Sequence, residues 1–111
     1  MPAIERSADK NSYGGHTDRI QIHSLYHIFI HGTTEKRYVV EFKEWRWISY
    51  KIRFSFVSEK DIEETVKDAI DKVLDYFQDN SDFDWPIQNK IKMEKDIIHQ
   101  YRTANWPDEI S

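Results

Sequence analysis

Three stretches of this chain alternate apolar and polar residues with a period of two, and all three place their apolar residues at even numbers. The stretches run from 20 to 31, from 37 to 44 and from 47 to 57, and β-branched and aromatic residues dominate them. A period of two is typical of strands that bury one face. The pattern therefore predicts three strands whose even-numbered side chains face one core.

The shared phase of the three stretches also constrains the turns between them. Residues that face each other in an antiparallel hairpin lie on the same side of the sheet, so a connection of odd length preserves parity. A five-residue loop at 32–36 satisfies this rule, and so does a three-residue loop at 44–46 that pairs Phe42 with Ile48, whereas a two-residue turn there would violate it. One long bent strand over 37–57 is the alternative, because no Gly or Pro marks a turn near Trp45.

Two helices are predicted after the strands. The segment 58–78 opens on a Ser58-to-Asp61 sequence that approximates a capping box, and apolar residues follow it at helical spacing. The second helix is expected over 86–103, with Pro86 in the first turn, where its missing N–H costs little. The expected fold is therefore α+β, a three-stranded antiparallel sheet with both helices packed on one face.

The N-terminal residues lack this order. Residues 1–19 show no apolar period, so we expect a flexible arm followed by a single domain over 20–111. The absence of cysteine excludes disulfides and thiolate chemistry. Because no apolar run resembles a signal peptide or could cross a bilayer, the expected location is the cytoplasm, without membrane contact.

Negative charge is concentrated in one quarter of the chain. Residues 58–85 contain ten of the twenty Asp and Glu residues but only three Lys. On the predicted first helix, four carboxylates form a line opposite the apolar stripe. This acidic line consists of Glu64, Asp68, Asp71 and Asp75. Like charges at i and i+4 slightly destabilise an isolated helix, and a basic partner would relieve that cost.

The acidic line favours a non-enzymatic module that binds a basic protein. Carboxylates on a rigid helix steer the encounter with positive charge, and neighbouring aromatic side chains supply buried anchors. The predicted partner-binding residues are Glu64, Asp68, Asp71, Asp75, Tyr76, Asp79, Asp82, Phe83, Asp84 and Trp85. In size, charge and lack of cysteine the chain is similar to small bacterial immunity proteins. That likeness implies an antitoxin-type inhibitor that neutralises a toxin such as a nuclease by direct binding.

The uncovered face of the predicted sheet supports two alternatives. The first is binding of single-stranded nucleic acid, because aromatic residues interleaved with basic ones can stack bases. The residues concerned are Lys43, Trp45, Trp47, Lys51 and Arg53. The net charge of -4 makes nucleic acid a less favoured partner, since such binding depends on neutralising phosphates. The second alternative is an oligomeric subunit that buries this face; otherwise we expect a monomer or weak dimer.

Catalytic and metal chemistry have no motif to support them. His23, His27 and His31 share a strand face, but strand residues four apart are separated by roughly 13 Å and cannot converge on one zinc ion. The acidic segment 79–84 lacks the glycine and the spacing of a calcium loop. No nucleophile elbow or phosphate-binding glycine loop occurs. The sequence therefore predicts no catalytic residue, no metal site and no cofactor.

Overall fold

The structure, a computed structural model, describes residues 3–80 and 87–104. Its elements are β1 (Ala3–Arg6), β2 (Gly14–His23), β3 (Tyr26–Thr33), β4 (Tyr38–Arg46), β5 (Ser49–Ser58), α1 (Ile62–Asn80) and α2 (Ile87–Thr103). Each strand pairs antiparallel with the next one along the chain, in the order β1-β2-β3-β4-β5. The predicted α+β class, antiparallel sheet and two helices are confirmed. The predicted number of strands is wrong, because the sheet has five strands and not three.

Part of the difference lies in the segment 1–19, which we predicted as a flexible arm. The structure places β1 and the first half of β2 within it. Ile4 pairs with Ile20, and Arg6 pairs with Asp18 through a salt bridge of 2.7 Å. A strand held by ion pairs across its neighbour shows little apolar alternation, which is the signal that predicts strands from sequence.

The predicted strand over 20–31 is in fact a hairpin. The chain reverses at Ser24 and Leu25, a two-residue turn without Gly or Pro. A two-residue turn changes parity, but the β2–β3 register shifts between Gln21 and His23. The extra residue of that irregularity restores parity, so the apolar alternation continues through the turn and conceals it.

The β4–β5 hairpin is confirmed, and the bent-strand alternative is wrong. Its turn is nevertheless the two-residue Trp47-Ile48 rather than a loop at 44–46, and Trp47 adopts a φ of 58°. Trp45 pairs with Tyr50 near the turn, and a register shift beyond Lys43 leaves Arg53 as an extra residue, so that Phe42 pairs with Phe54. This bulge again restores parity, so the shorter turn is compatible with the apolar alternation after all.

The core lies between one face of the sheet and the helices. It contains Ile20, Ile28, Ile30, Val40 and Phe42 from the strands, Val66, Ala69, Ile70, Val73, Leu74 and Phe77 from α1, and Ile97 from α2. The sheet residues are all even-numbered, as the alternation predicted. Since α1 supplies half of this set and α2 a single residue, α1 is the principal cover of the sheet.

The first helix begins later than the predicted residue 58. Ser58 is the last residue of β5, and its hydroxyl lies 2.7 Å from that of Thr65. Asp61 is the true N-cap, because its Oδ1 accepts a hydrogen bond of 2.9 Å from the backbone N–H of Glu64. Ser58 therefore fixes the approach of the chain to α1 rather than capping it.

Candidate interaction surfaces

The acidic line on α1 is partly neutralised by lysines of the same chain. Asp68 accepts a hydrogen bond of 2.9 Å from Lys60, Glu64 lies 3.6 Å from Lys67, and Asp71 forms a salt bridge with Lys90 of α2. The sequence pattern showed the surplus of carboxylates on α1 but not that α2 would bring a lysine against it. The acidic line therefore carries less unpaired negative charge in the folded protein than a count of its carboxylates in the sequence indicates.

The predicted partner-binding residues from Asp75 onward differ in their exposure to solvent. Asp75 and Asp79 are exposed, and neither forms an ion pair with another residue in the described ranges 3–80 and 87–104. Tyr76 is half-buried, with its ring centroid 5.8 Å from that of Phe42 and 5.3 Å from that of Phe77. Tyr76 is thus part of the core edge and not a free anchor. Asp82, Phe83, Asp84 and Trp85 lie outside the described residues.

The helices leave the other side of the sheet uncovered, and aromatic rings meet there. We call this side the open face, and its centre consists of His27, Phe29, Lys43, Trp45, Tyr50 and Ile52. The Tyr50 ring is at the middle, with its centroid 4.9 Å from that of Trp45 and 5.2 Å from that of Phe29. Lys43 places its Nζ 4.9 Å from the centroid of the Phe29 ring, within the range of a cation–π contact.

Apolar side chains of the open face and of its border remain in contact with solvent. Trp45 and Ile52 are exposed on it, and so is Leu25 in the neighbouring β2–β3 turn. The β4–β5 turn goes further, since Trp47 is 91% exposed and Ile48 90% exposed. We call these two residues the hairpin tip. Scattered apolar side chains are normal on a protein surface, but a contiguous group of this kind typically marks an interaction site.

Polar groups on the open face are close to charge balance. Glu41 accepts a hydrogen bond of 2.6 Å from His31 and lies 3.4 Å from Lys43. Burial raises the pKa of Glu41, but the His31 hydrogen bond and the Lys43 charge outweigh it and hold the pKa below its usual value. Burial lowers the pKa of His27, whose Nδ1 has no hydrogen-bond partner among residues 3–80 and 87–104. The face is therefore an apolar surface with paired charges rather than a basic one.

The five residues predicted as an alternative sheet-face site do not share one surface. Lys43 and Trp45 lie on the open face, and Trp47 is at the hairpin tip. Arg53 instead donates from Nε to Glu44 at 2.8 Å. Glu44 also accepts a hydrogen bond from the Tyr26 hydroxyl on the helix side of the sheet, and Lys51 pairs with Glu44 in the register. The bulge at Arg53 separates the side chains of Lys51 and Arg53 from the aromatic rings of the open face.

Sequence reasoning missed several residues of the open face. The alternation predicts Tyr50 and Ile52 in the core, because their even numbers match the phase of the other strands, but both lie on the open face. Leu25 and Ile48 were read as strand residues and lie in turns. The signal that could have found Ile48 is the isolated pair of large apolar residues between Arg46 and Ser49, where a turn would normally be polar.

The described part of the chain contains neither of two further kinds of feature, metal-ligand clusters and membrane-spanning helices. No group of three or more His, Asp or Glu side chains within residues 3–80 and 87–104 could hold a metal ion. In the same ranges, neither helix is long and apolar enough to cross a membrane.

Comparisons with protein-family models, with curated protein sequences and with solved structures find no match to this chain.

Proposed function

We propose that this chain is a non-enzymatic module that binds another protein through the open face and the hairpin tip. The observation that supports this is the near-complete exposure of Trp47 and Ile48 directly beside the contacts among Trp45, Tyr50 and Phe29. Trp and Tyr are enriched among the residues that contribute most to protein interfaces. The tip would insert into the partner, and the flatter open face would pack around the insertion.

Charge near the hairpin tip defines the chemistry of that partner. Arg46 and Lys51 flank the tip, are exposed, and form no ion pair with another residue of the described ranges. A matching surface would combine an apolar groove with carboxylates at its rim. Rim charges of this kind accelerate association and select partners more than they add affinity.

The experiment is a pull-down from the source cells with wild-type protein and the double variant Trp47→Ser/Ile48→Ser. Ile87→Ser is the matched control, because Ile87 is also an exposed aliphatic residue but lies on α2. We expect the wild type and the control to retain the same protein, identified by mass spectrometry and then bound in purified form, and the double variant to lose it. Retention by all three proteins would contradict the proposal.

Self-association is the competing use of the same surface, and sedimentation velocity separates the two. If the wild type is a dimer and the double variant is a monomer, the molecule that binds this surface is a second copy of this chain and not another protein. A monomeric wild type leaves the surface for another protein.

A second proposal is the inhibitor of a basic protein that the charge pattern of α1 predicts. The exposed and unpaired Asp75 and Asp79, one helical turn apart, support it. Asp75→Lys/Asp79→Lys would then abolish binding of an identified basic partner, whereas Trp47→Ser/Ile48→Ser would leave that binding unchanged. The two pairs of substitutions therefore distinguish the two surfaces.

A further inference from the structure

A polar cavity lies at the end of the sheet opposite the hairpin tip. The start of β2 at Gly14, the start of β4 at Tyr38 and the residues before α1 surround it, and its volume is about 790 Å³. Pockets that bind small molecules measure roughly 300–1,000 Å³. Ile30 and Asp18 line it from the helix side of the sheet, so the cavity and the open face lie on opposite sides of the molecule.

Positive side chains outnumber negative ones around this cavity. The permanently positive residues that line it are Arg6, Lys10, Lys36, Arg37 and Lys60, and the carboxylates are Asp18, Glu59 and Asp61. The cavity therefore has a positive surplus within a chain whose formal net charge is -4. A local reversal of the overall sign concentrates an oppositely charged ligand at that point.

Two of the three carboxylates are already engaged by the protein. Both oxygens of Asp18 accept hydrogen bonds from Arg6, at 2.7 and 3.1 Å. Asp61 accepts the backbone N–H of Glu64 as the cap of α1. Arg6 therefore neutralises Asp18, whereas Asp61 keeps its negative charge at the start of α1.

Lys10 and Lys36 are the groups that remain for a ligand, because Lys60 donates to Asp68 at 2.9 Å. Glu59 lies 3.2 Å from Arg37, which accounts for one further cation of the lining. Lys10 and Lys36 are exposed, and no ion pair joins either of them to another residue of the described ranges. They extend from two different loops, the β1–β2 connection and the β3–β4 turn, toward the same cavity. An ammonium group binds phosphate or carboxylate as a point charge.

One wall of the cavity is bare backbone held in place by hydrogen bonds. All three glycines of the chain line it. A Cβ on Gly15 would lie 2.4 Å from the carbonyl oxygen of Gly32, so a side chain cannot be accommodated there. The amide of Asn11 donates to that same oxygen at 3.0 Å and accepts the Gly15 N–H at 3.2 Å. This fixed wall keeps the cavity open without relying on a ligand to shape it.

We propose that this cavity binds a small-molecule anion with at least two negative charges, such as a phosphate ester or a polycarboxylate. Lys10 and Lys36 provide the charge contacts, and the Asn11-fixed glycine wall provides the space. His16 also lines the cavity, where its Nδ1 donates to the carbonyl oxygen of Ser7 at 3.1 Å.

Calorimetric titration at constant ionic strength tests this site with pyrophosphate, citrate and chloride. We expect saturable binding of at least one multivalent anion and none of chloride. Binding of pyrophosphate alone would assign a phosphate ligand, and equal binding of citrate would assign general recognition of multivalent anions. If chloride competes as well as either at equal ionic strength, the cavity is not a specific site and the proposal is overturned.

Two double variants locate the binding. Lys10→Gln/Lys36→Gln should weaken the anion affinity by about tenfold, as expected for the loss of two charge-assisted contacts. Lys92→Gln/Lys95→Gln removes the same charge from the exposed surface of α2 and should leave the affinity unchanged. An equal loss in both double variants would show a non-specific charge effect and overturn the proposal.

A measurement on the wild type covers the case in which a variant does not fold. The backbone amides of Gly14, Gly15 and Gly32 report from inside the cavity, and no other glycine exists to confuse them. Pyrophosphate should shift these three amide resonances at concentrations that leave the amides of the hairpin tip unmoved. Shifts confined to other residues would place the anion elsewhere and contradict the assignment.

Discussion

The two faces of the sheet differ in their burial, although the same strands form them. On the covered face, Ile28 and Phe42 are completely buried under α1. On the open face, Trp45 and Ile52 remain exposed even though they sit beside other apolar side chains. Apolar burial under the helix stabilises the fold, whereas the aromatic side chains of the open face keep part of their surface, 39% in the case of Trp45, in contact with solvent. Residues of similar type can thus lie on both faces of one sheet, and the face on which a residue lies decides its role.

The largest difference between the faces should appear when a ring is removed from each. Phe42→Ala removes a side chain that packs on Tyr26, Phe54 and Phe77 and should lower the free energy of unfolding by about 3–5 kcal/mol. Trp45→Ala, on the open face, should cost about 1 kcal/mol or less because the ring is already partly hydrated. Urea denaturation measures both variants. If Trp45→Ala costs as much as Phe42→Ala, the open face is a second core and not a free surface.

Adjacent ion pairs across β1 and β2 offer a second, matched comparison. Arg6 with Asp18 lies on the covered face, and Glu5 with Arg19 lies one register position away on the open face. Arg6→Ala leaves the buried Asp18 carboxylate without its principal partner and should cost about 2–3 kcal/mol. Arg19→Ala breaks an exposed pair and should cost about 0–1 kcal/mol. Equal losses in thermal or urea unfolding would mean that β1 is held by its backbone alone.

The alternation in the sequence predicts the covered face well. Every buried apolar residue of the sheet is even-numbered and lies within the strands that the pattern identified. The strand count could not be obtained in the same way, because two hairpins combine a two-residue turn with a bulge whose extra residue cancels the parity change. Period alone cannot distinguish such a hairpin from an uninterrupted strand. β1 was hidden for another reason, since its partner contacts are largely ionic.

The candidate surfaces were less accessible to sequence reasoning. The carboxylates of α1 were placed on the correct side of the helix, but Lys90 comes from α2, and only the packing of the two helices brings it against Asp71. The sequence predicts that one face of the sheet is uncovered. Which residues of β5 lie on that face depends on a single bulge, which places Tyr50 beside the aromatic rings and Arg53 away from them. The cavity is formed by three loops that are distant in sequence, so no local sequence motif predicts it.

The bulge itself can be tested by single-residue deletions in β5. Removing Arg53 leaves Phe54 opposite Phe42 and Phe56 opposite Val40, so the covered face stays intact. Removing Ser55 moves Phe56 to the other side of the strand and should cost about 2 kcal/mol more than removing Arg53, as expected for exposing a large aromatic side chain. Chemical denaturation compares the two deletions. The register described for β5 is wrong if the Arg53 deletion proves the more damaging one.

The smallest expected effect concerns the histidine that is buried on the open face. Burial, followed by the charge of Arg19, lowers the pKa of His27 below the ordinary value of 6.5, with Glu5 acting in the opposite sense. The unfolded chain therefore binds a proton more readily than the folded one as the pH falls through 6.5, so the protein loses stability on acidification and regains it above that value. His27→Gln removes the titrating group, and its unfolding free energy should fall less than that of the wild type between pH 7.5 and 5.5, in buffers of about 0.1 M ionic strength that screen distant charges. Identical pH dependence in the two proteins would mean that His27 takes up its proton without leaving the folded face, and that the ring is more accessible to water than its burial implies.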